Sequence, residues 1–363
     1  MLTWLSSVCL FGTGCNSVSA QTLPSLKEVF KNNFLIGAAI NQNQISERDT
    51  IGVAILSSQF NSISPENVLK WERVHPHFDR YDFDAADRYV AFGKKYGMAI
   101  IGHVLVWHNQ TPPWVFEDSA GKPVDRETLL QRMHEHIATV VGRYKGQVHG
   151  WDVVNEAVNE DGTLRESPWL KIIGEDYIEK AFQYAHEADP SAELHYNDFS
   201  LENKPKRDGV LKLITKLKEH GVPVTAVGLQ GHYKMDWPTL AQIDTTVDEF
   251  GKLGTRVMIT ELDVDVVPAT QANRGADLSL NNQRQAHADV YAAGLPDSVQ
   301  QALAKRYAGL FTVFLRHKEI ERITFWGVTD ANSWLNTRGR TNYPLLFDRE
   351  GKAKPAFDAV IKH

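Results

Sequence analysis

The chain alternates short apolar runs with longer amphipathic stretches, and this alternation limits its fold more than any other feature. Eight apolar runs are typical of buried strands. They begin at Phe34, Gln59, Met98, Val148, Ala192, Val224, Arg256 and Arg322. The amphipathic stretches repeat apolar residues at spacings of three and four, and they end at Gly or Pro, which is typical of helix C-termini.

The order of these elements predicts the fold class. Strands that alternate with helices form a parallel sheet covered by helices. Eight such units in a chain of 363 residues indicate a single α/β domain, a (β/α)8 TIM barrel. The alternative is an open doubly wound sheet, which usually has a glycine-rich phosphate loop after its first strand. The stretch "GAAINQNQI" after Leu35 is not such a loop. Helices are expected over 84–97, 127–146, 176–190, 208–221 and 240–254, with two more at 283–293 and 298–315.

The first twenty residues are expected to be a leader, and residues 21–363 the catalytic (β/α)8 domain. "VSA" before Gln21 has the small-residue form of a signal-peptidase site. "GTGC", ending at Cys15, loosely resembles a lipoprotein box. The protein is therefore expected to be exported, and to be periplasmic, secreted or lipid-anchored. The front of the leader lacks Lys and Arg, so a misplaced start codon or a disordered leader is the alternative.

Composition excludes several classes of function. The net charge of −6 offers no basic surface for nucleic acid. Both cysteines, Cys9 and Cys15, lie within the leader, which argues against a disulfide framework or a thiolate metal site. His134 and His136 are two residues apart on a predicted helix, whereas zinc-binding histidines on one helix face are usually four apart. We expect no metal, no cofactor and no protein partner, and therefore a monomer.

Polar side chains follow seven of the eight predicted strands, where the active site of a (β/α)8 barrel lies. The run "HGWDVVNEAV" ends its strand on Asn155 and Glu156, and the seventh strand carries Glu261. Several tryptophans and neutral hydrogen-bonding residues accompany these two glutamates. Tryptophan rings stack on sugar rings, and glycoside cleavage uses two carboxyl groups, one protonated and one ionised. The set therefore indicates a site for a sugar polymer.

The motifs at these strand ends resemble those of the glycoside hydrolase family 10 xylanases. "ENVLKW", "GHVLVWHNQTPPW", "DVVNEAV", "HYNDF", "VGLQGH", "ITELDV", "FWGVTDANSWL" and "YPLLFD" occur in the family's order. The resemblance extends from about Leu26 to Ile361. It implies an endo-1,4-beta-xylanase that acts on xylan or xylo-oligosaccharides.

The resemblance also implies roles for particular residues. Glu156 matches the general acid/base and Glu261 the nucleophile of a retaining enzyme, whose carboxyl groups lie ~5–5.5 Å apart. Asn155 matches the amide that binds the 2-hydroxyl of the sugar being cleaved, and His232 the imidazole that keeps the nucleophile ionised. The subsite of the same sugar is expected to contain Lys70, His103, Trp107, Gln230 and Trp326. The next sugar on the glycone side is expected to contact Glu66, Asn67, Gln110 and Trp334.

The charge of Glu261 is expected to be the main influence that raises the pKa of Glu156. Two other functions stay open: a hydrolase of another β-1,4-glycan, such as cellulose or mixed-linkage glucan, and a non-catalytic glycan-binding protein. Arg338 or Arg340 is expected either to contact uronic acid decorations or to be ordinary loop charge. Trp151 and Trp169 are expected in the core, and "KPKR" at 204–207 is expected to be a solvated helix start.

Overall fold

The strands form one parallel sheet. The computed structural model describes residues 25–268, 289–337 and 339–362. Within them the strands are β1 (Leu35–Ile40), β2 (Ser62–Pro65), β3 (Ala99–Val106), β4 (Gly150–Asn155), β5 (Glu193–Asp198), β6 (Ala226–Leu229), β7 (His232–Lys234), β8 (Arg256–Asp265) and β9 (Ile320–Phe325). Each predicted apolar run overlaps at least one of these strands.

The sheet closes on itself. β1 pairs with both β2 and β9, and β6 pairs with β8, so that β1 to β6, β8 and β9 form a closed parallel barrel of eight strands. Closure confirms the (β/α)8 barrel and rules out the open doubly wound sheet. The remaining strand, β7, is short, and among the strands that the structure describes it pairs only with β8. The predicted sixth strand is therefore interrupted at Gln230 and Gly231, where Gly231 adopts a φ of 81°.

Helices connect the strands and cover the barrel. They are α1 (Leu26–Val29), α2 (Gln42–Ile45), α3 (Thr50–Gln59), α4 (Trp71–Val74), α5 (Asp84–Lys95), α6 (Arg126–Arg143), α7 (Pro168–Ile173), α8 (Tyr177–Ala188), α9 (Lys204–Glu219), α10 (Leu240–Lys252), α11 (Asp297–Phe314) and α12 (Pro355–Ile361). Two of the predicted glycine stops show why these helices end. Gly97 after α5 and Gly146 after α6 have φ values of 62° and 68°, a left-handed conformation that glycine adopts without steric cost.

One predicted helix differs from the structure. Residues 283–288 of the helix expected over 283–293 lie outside the described residues, and 290–293 form a turn rather than a helix. The next predicted helix, over 298–315, corresponds to α11.

Apolar side chains pack between the barrel and its helices. The ring of Phe311 on α11 lies 5.2 Å from that of Phe30 and 6.2 Å from that of Phe325 on β9. Trp151 and Trp169 are buried, as expected. Among the described residues, no helix is both long enough and apolar enough to cross a bilayer.

The prediction for the segment "KPKR" is half right. It does begin a helix, α9, but it is not solvated throughout. Lys206 is fully buried and Arg207 is 7% exposed. The ammonium of Lys206 lies 2.8 Å from the carboxylate of Asp198, at the end of β5. A buried lysine requires a compensating charge, and the fold brings that charge from a strand that is adjacent in the sequence.

Candidate active site

A cavity of about 210 Å³ opens at the carboxyl ends of the barrel strands, and the structure brings all the predicted site residues together around it. Its lining consists of Glu66, Asn67, Lys70, His103, Trp107, Gln110, Asn155, Glu156, Gln230, His232, Glu261, Trp326 and Trp334. The roles of these side chains toward a sugar remain predictions. Their arrangement can be described directly.

Glu156 follows β4 with an unusual backbone. Its φ is 58°, in the left-handed region that residues other than glycine seldom adopt. The side chain is 5% exposed. Gln230 Nε2 donates to its Oε1 at 3.0 Å, and the indole nitrogen of Trp107 donates to its Oε2 at 2.9 Å. Both carboxyl oxygens therefore have defined positions in the cavity wall.

Glu261 lies within β8 and is equally buried, at 5% exposure. Asn197, on β5, donates from Nδ2 to its Oε1 at 2.9 Å. His232 Nε2 lies 3.1 Å from its Oε2. The other ring nitrogen of His232 is 3.1 Å from the carboxylate of Asp263. Glu261, His232 and Asp263 thus form a continuous chain of ionisable groups.

A network of amides joins the two glutamates. The side-chain oxygen of Asn155 accepts from Asn197 Nδ2 at 2.9 Å and from Gln230 Nε2 at 3.3 Å. Asn197 also binds Glu261, and Gln230 also binds Glu156. The two carboxyl groups are therefore linked through hydrogen bonds of three side-chain amides.

The surroundings of Glu156 raise its pKa. Burial is the largest cause, because it disfavours the charged carboxylate. The charge of Asp198 comes next, and the charge of Glu261 contributes less than either. The expectation that Glu261 would be the main influence was wrong. Asp198 ends the adjacent strand, β5, and its distance from Glu156 depends on strand pairing that the sequence does not display.

The surroundings of Glu261 have the opposite effect. Burial alone would raise its pKa, but the hydrogen bond from His232, the charges of His103 and His232, and the amide of Asn197 outweigh burial and lower it. Burial would also lower the pKa of His232, yet Asp263 and Glu261 raise it to about 10. His232 therefore carries a positive charge at neutral pH, which favours the ionised form of Glu261.

Three residues of this arrangement had no predicted role. Asn197 bridges the two sides of the network, Asp263 pairs with His232, and Asp152 accepts from the ring of His103 at 2.8 Å. Asn197 and Asp263 are among the polar residues at predicted strand ends, and that position was the available signal. Asp152 lies inside β4, where the sequence offers no indication that it faces an imidazole.

The end of the cavity next to Asn67 is organised around Lys70. Its ammonium donates to Asn67 Oδ1 at 3.0 Å and to Gln110 Oε1 at 2.7 Å. It also lies 5.1 Å from the centre of the Trp107 ring. Burial raises the pKa of Glu66 to about 7, against the charge of Lys70. This end therefore presents amides, an ammonium and an indole face, all suited to sugar hydroxyls and rings.

A larger cavity of about 570 Å³ adjoins this end and shares Asn67 with it. Asn41, Asn43 and Arg80 are among its lining residues, and neither buried glutamate is. Its greater volume does not make it the reactive centre, because the two carboxyl groups of opposite pKa shift lie in the smaller cavity.

Arg338 and Arg340, in the loop after β9, were the candidates for contacts with uronic acid decorations. Arg338 lies outside the described residues. Arg340 is bound to the carboxylate of Asp265, at 2.6 Å and 2.7 Å from its two oxygens, and is 18% exposed. The guanidinium of Arg340 therefore serves the structure of β8 and the loop. Within residues 25–268, 289–337 and 339–362, no group of three or more His, Cys, Asp or Glu side chains is placed to hold a metal ion.

Comparison with known proteins agrees with this geometry. The model of glycosyl hydrolase family 10 matches residues 25–363. Endo-1,4-beta-xylanase A of Xylanibacter ruminicola is 43% identical over 347 residues, which cover 94% of each chain. A solved endoxylanase from a sugarcane soil metagenome is 42% identical, with a TM-score of 0.86, over 93% of this chain and 98% of that one.

A third protein was solved with an oligosaccharide. It is a variant of TsXylA, an intracellular xylanase from Thermoanaerobacterium saccharolyticum, in complex with xylotetraose. It is 37% identical to this chain with a TM-score of 0.82, and the match covers 93% of this chain and 98% of that chain. These matches confirm the resemblance noted in the motifs.

Proposed function

The chain belongs to glycosyl hydrolase family 10, and from this membership and the cavity geometry we propose that it cleaves β-1,4-xylan internally with retention of anomeric configuration. The observation that carries the proposal is the opposite pKa shift of Glu156 and Glu261, two buried carboxyl groups joined by one amide network. Two titratable groups whose surroundings shift their pKa values in opposite directions are suited to the roles of acid and nucleophile.

In the first step Glu261 is the nucleophile. Its carboxylate oxygen forms a bond to the anomeric carbon as the glycosidic carbon–oxygen bond breaks. The proton of Glu156 moves to the departing oxygen, so that the leaving sugar departs as an alcohol. His232 stabilises the ionised nucleophile before attack, because it presents a charged ring nitrogen to Oε2.

In the second step a water molecule attacks the same carbon from the face that the leaving group vacated. The ester bond to Glu261 breaks and its carboxylate is regenerated, while one water proton moves to Glu156. Two inversions give net retention. Once Glu261 is esterified its negative charge is absent, so the pKa of Glu156 falls and its carboxylate accepts the proton more readily.

The rest of the lining supports a neutral sugar chain as substrate. The cavity offers side-chain amides from Asn67, Gln110 and Gln230, together with the rings of Trp326 and Trp334. Amides bind hydroxyl groups, and indole faces bind the apolar faces of pyranose rings. The relatives named above are xylanases, and xylan is therefore the substrate that we propose over cellulose or mixed-linkage glucan.

The stereochemical outcome and the nucleophile test this proposal together. Proton NMR of the earliest products from xylohexaose is expected to show the β-anomer first, before mutarotation. A 2-fluoro xylobioside inhibitor with a good leaving group should label Glu261, as mapped by mass spectrometry of peptides. An α-anomer as first product, or a label on another residue, would contradict the mechanism.

Matched variants separate catalysis from binding. Glu261→Gln should bind xylohexaose in calorimetry without cleaving it, whereas Glu249→Gln, at a half-exposed carboxylate on α10, should behave as the wild type. Reducing-sugar assays on xylan, cellulose and glucomannan decide between the glycans. Faster release from cellulose would replace xylan as the substrate, and binding without any release would favour the non-catalytic alternative.

We further propose that the protein is exported and acts as a monomer. The proposal of export is based on the small-residue site "VSA" before Gln21, and we expect a signal peptidase to cleave the chain after Ala20. Intact-mass analysis of the native protein should show a chain that begins at Gln21. An acylated chain that begins at Cys15 would establish lipid anchoring instead, and size-exclusion chromatography with light scattering would reveal any oligomer.

A further inference from the structure

The backbone of Glu156 must be held in place by its surroundings. A residue other than glycine in the left-handed region costs of order 1–3 kcal/mol and persists only where neighbouring contacts over-determine it. Glu156 has this conformation, with a φ of 58°, at the residue to which we assign proton transfer. The inference below rests on that proposed function.

Three hydrogen bonds hold the peptide groups on either side of Glu156. Its own N–H donates to the carbonyl of Asn197 at 2.9 Å. Its carbonyl accepts from Arg165 Nε at 3.0 Å. The next N–H, that of Ala157, donates to the hydroxyl of Tyr196 at 3.1 Å. Two of the three partners are therefore side chains, and neither belongs to the cavity lining.

Tyr196 is itself held by a buried ion pair. Its hydroxyl donates to Asp198 Oδ2 at 2.6 Å, while Lys206 Nζ lies 2.8 Å from Asp198 Oδ1. Tyr196, Asp198 and Lys206 are all fully buried. A phenol has one proton to donate. Because the Tyr196 hydroxyl directs that proton at Asp198, its oxygen lone pairs remain available to accept a hydrogen bond. The Ala157 N–H is therefore the donor in its contact with Tyr196.

We propose that Tyr196 is a positioning residue for the acid/base Glu156, with Arg165 holding the carbonyl of the same peptide group, the one that follows Glu156. Tyr196 does not contact the sugar. It keeps the peptide after Glu156 in the orientation that aims the carboxyl group into the cavity, and the Asp198–Lys206 pair keeps Tyr196 in place. Glu160, at the surface, lies 3.5 Å from the Lys206 ammonium, and the charge of Lys206 also acts on the buried carboxyl group of Glu202.

If Tyr196 positions Glu156, the loss of rate in a Tyr196 variant should depend on the leaving group of the substrate. A general acid must lie within ~2.6–3.2 Å of the oxygen that it protonates. A misplacement of about 1 Å can cost on the order of 100-fold in rate. A sugar leaving group needs that proton, whereas dinitrophenolate departs without it. Loss of positioning should therefore slow cleavage of an oligosaccharide and spare the first step on a dinitrophenyl glycoside.

The test is Tyr196→Phe, assayed on xylotetraose and on 2,4-dinitrophenyl β-xylobioside. For xylotetraose kcat/KM should fall by about 10- to 100-fold. For the dinitrophenyl substrate kcat/KM should stay within about twofold, while kcat and KM fall together, because the base-assisted second step is slowed and the glycosyl-enzyme accumulates. Azide, which attacks the anomeric carbon without base assistance, should restore kcat on the dinitrophenyl substrate. An equal loss of kcat/KM on both substrates, or no loss on either, would overturn the assignment.

Two more variants complete the experiment. Arg165→Met removes the other side chain, which is only half-buried, and should give the same selective loss even if Tyr196→Phe fails to fold. Unchanged or equal effects on the two substrates would again overturn the inference. Tyr89→Phe is the control, because its buried hydroxyl lies 2.9 Å and 2.7 Å from the carbonyl oxygens of Ile63 and Ile101 and touches neither peptide group of Glu156.

The outcome for the wild type separates this inference from the proposed function. If the wild type cleaves both substrates and is labelled at Glu261, a normal Tyr196→Phe refutes the positioning role alone. If the wild type cleaves neither substrate, the proposed function fails and the role of Tyr196 fails with it.

Discussion

At the scale of single residues, His232 determines the ionisation of Glu261. Its ring lies between two carboxylates, at 3.1 Å from each, and its pKa is raised to about 10 despite burial. The positive ring in turn lowers the pKa of Glu261, together with the charge of His103 and the amide of Asn197, against the effect of burial. The hydrogen bond and charge of His232 therefore help to set the lower pH limit at which the nucleophile is charged.

Replacing His232 by Gln should shift the acidic limb of the pH profile. Without the charged ring the pKa of Glu261 rises, and the nucleophile is protonated at a higher pH. The acidic limb of kcat/KM on an aryl xylobioside should then move to higher pH. His220→Gln, at an exposed histidine that pairs with Glu179, is the matched control and should leave the limb in place. An unmoved limb in the His232 variant would mean that other groups hold Glu261 ionised.

The basic limb reports the other carboxyl group. Burial, and then the charge of Asp198, raise the pKa of Glu156, so that the acid form persists to higher pH than for a free glutamate. Glu156→Ala should lose this limb on an aryl xylobioside whose leaving group needs no proton. If the limb persists in the variant, Glu156 is not the group that it reports. Because the two carboxyl groups are coupled, both limbs give macroscopic values.

At the scale of secondary structure, α9 and β5 are joined by a buried charge pair. Lys206, in the first turn of α9, and Asp198, at the end of β5, are both fully buried. The ammonium also lies 3.4 Å from the centre of the Phe199 ring. The contact sets where α9 begins relative to the strand that carries Tyr196 and Asn197.

Lys206→Met should therefore destabilise the fold strongly. Removing one partner of a buried pair typically costs about 3–5 kcal/mol, because the remaining charge is left uncompensated. Lys204→Met, two residues earlier in α9, breaks an exposed pair with Asp208 and should cost no more than about 1 kcal/mol. Urea unfolding followed by tryptophan fluorescence measures both. Equal losses of unfolding free energy in the two variants would show that burial of the Lys206 pair does not contribute to stability.

The position of the Asn197 side chain depends on a glycine in the neighbouring strand, β6. Gly228 lies beside Asn197 in the sheet, and a Cβ at Gly228 would lie 2.3 Å from Asn197 Oδ1. The same Asn197 side chain binds Asn155 and Glu261. The absence of a side chain at Gly228 therefore leaves the space that the amide network occupies.

Gly228→Ala should displace the amide of Asn197 and lower kcat/KM by roughly 100-fold. Overpacking of this kind typically costs about 1–3 kcal/mol of stability. Gly142→Ala is the control, because no atom lies within 4 Å of a Cβ at that exposed position in α6. It should stabilise the fold by about 0.5–1 kcal/mol and leave activity unchanged. Full activity in the Gly228 variant would show that the network tolerates the displacement.

At the scale of the whole molecule, a charged cluster at the amino-terminal end of the barrel joins β5, β8 and β9. Glu193 lies 2.7 Å from Arg256, 3.4 Å from His195 and 3.6 Å from Arg322. Burial acts to raise the pKa of Glu193, but His195 and the two arginines outweigh it and lower the pKa to about 2. The barrel is thus joined by ionic contacts at the end opposite the cavity.

The cluster predicts a loss of stability in acid. Glu193 has a folded pKa of about 2 and an ordinary value of 4.5, so its contribution is fully present above pH 4.5 and is lost as pH falls toward 2. Urea midpoints should fall less steeply across this range in Glu193→Gln than in the wild type. Glu321→Gln, which removes a second partner of Arg256, retains Glu193 and should keep the wild-type slope. Identical slopes in all three proteins would contradict the assignment.

Much of the fold and of the candidate site of this protein could be predicted from its sequence. The alternation of apolar runs and amphipathic stretches predicted a parallel sheet covered by helices, because a parallel strand needs a crossover before the next strand can pair. The pairing of β1 with β9 then showed that this sheet closes into a barrel. The polar residues at the strand ends indicated the cavity, because in a barrel those ends converge at one face. Glu156 and Glu261, which are 105 positions apart in the printed sequence, could be assigned to one site for this reason.

Other features were decided only by the tertiary structure. The burial of Lys206, the bridge formed by Asn197 and the contact of Tyr196 with the peptide after Glu156 depend on where each side chain points once strands and helices are packed. A charged residue is most often solvated. Lys206 is an exception because the fold places the carboxylate of Asp198 beside its buried ammonium. The sequence thus determined which residues meet at the cavity, while packing decided which of them are charged and what holds them there.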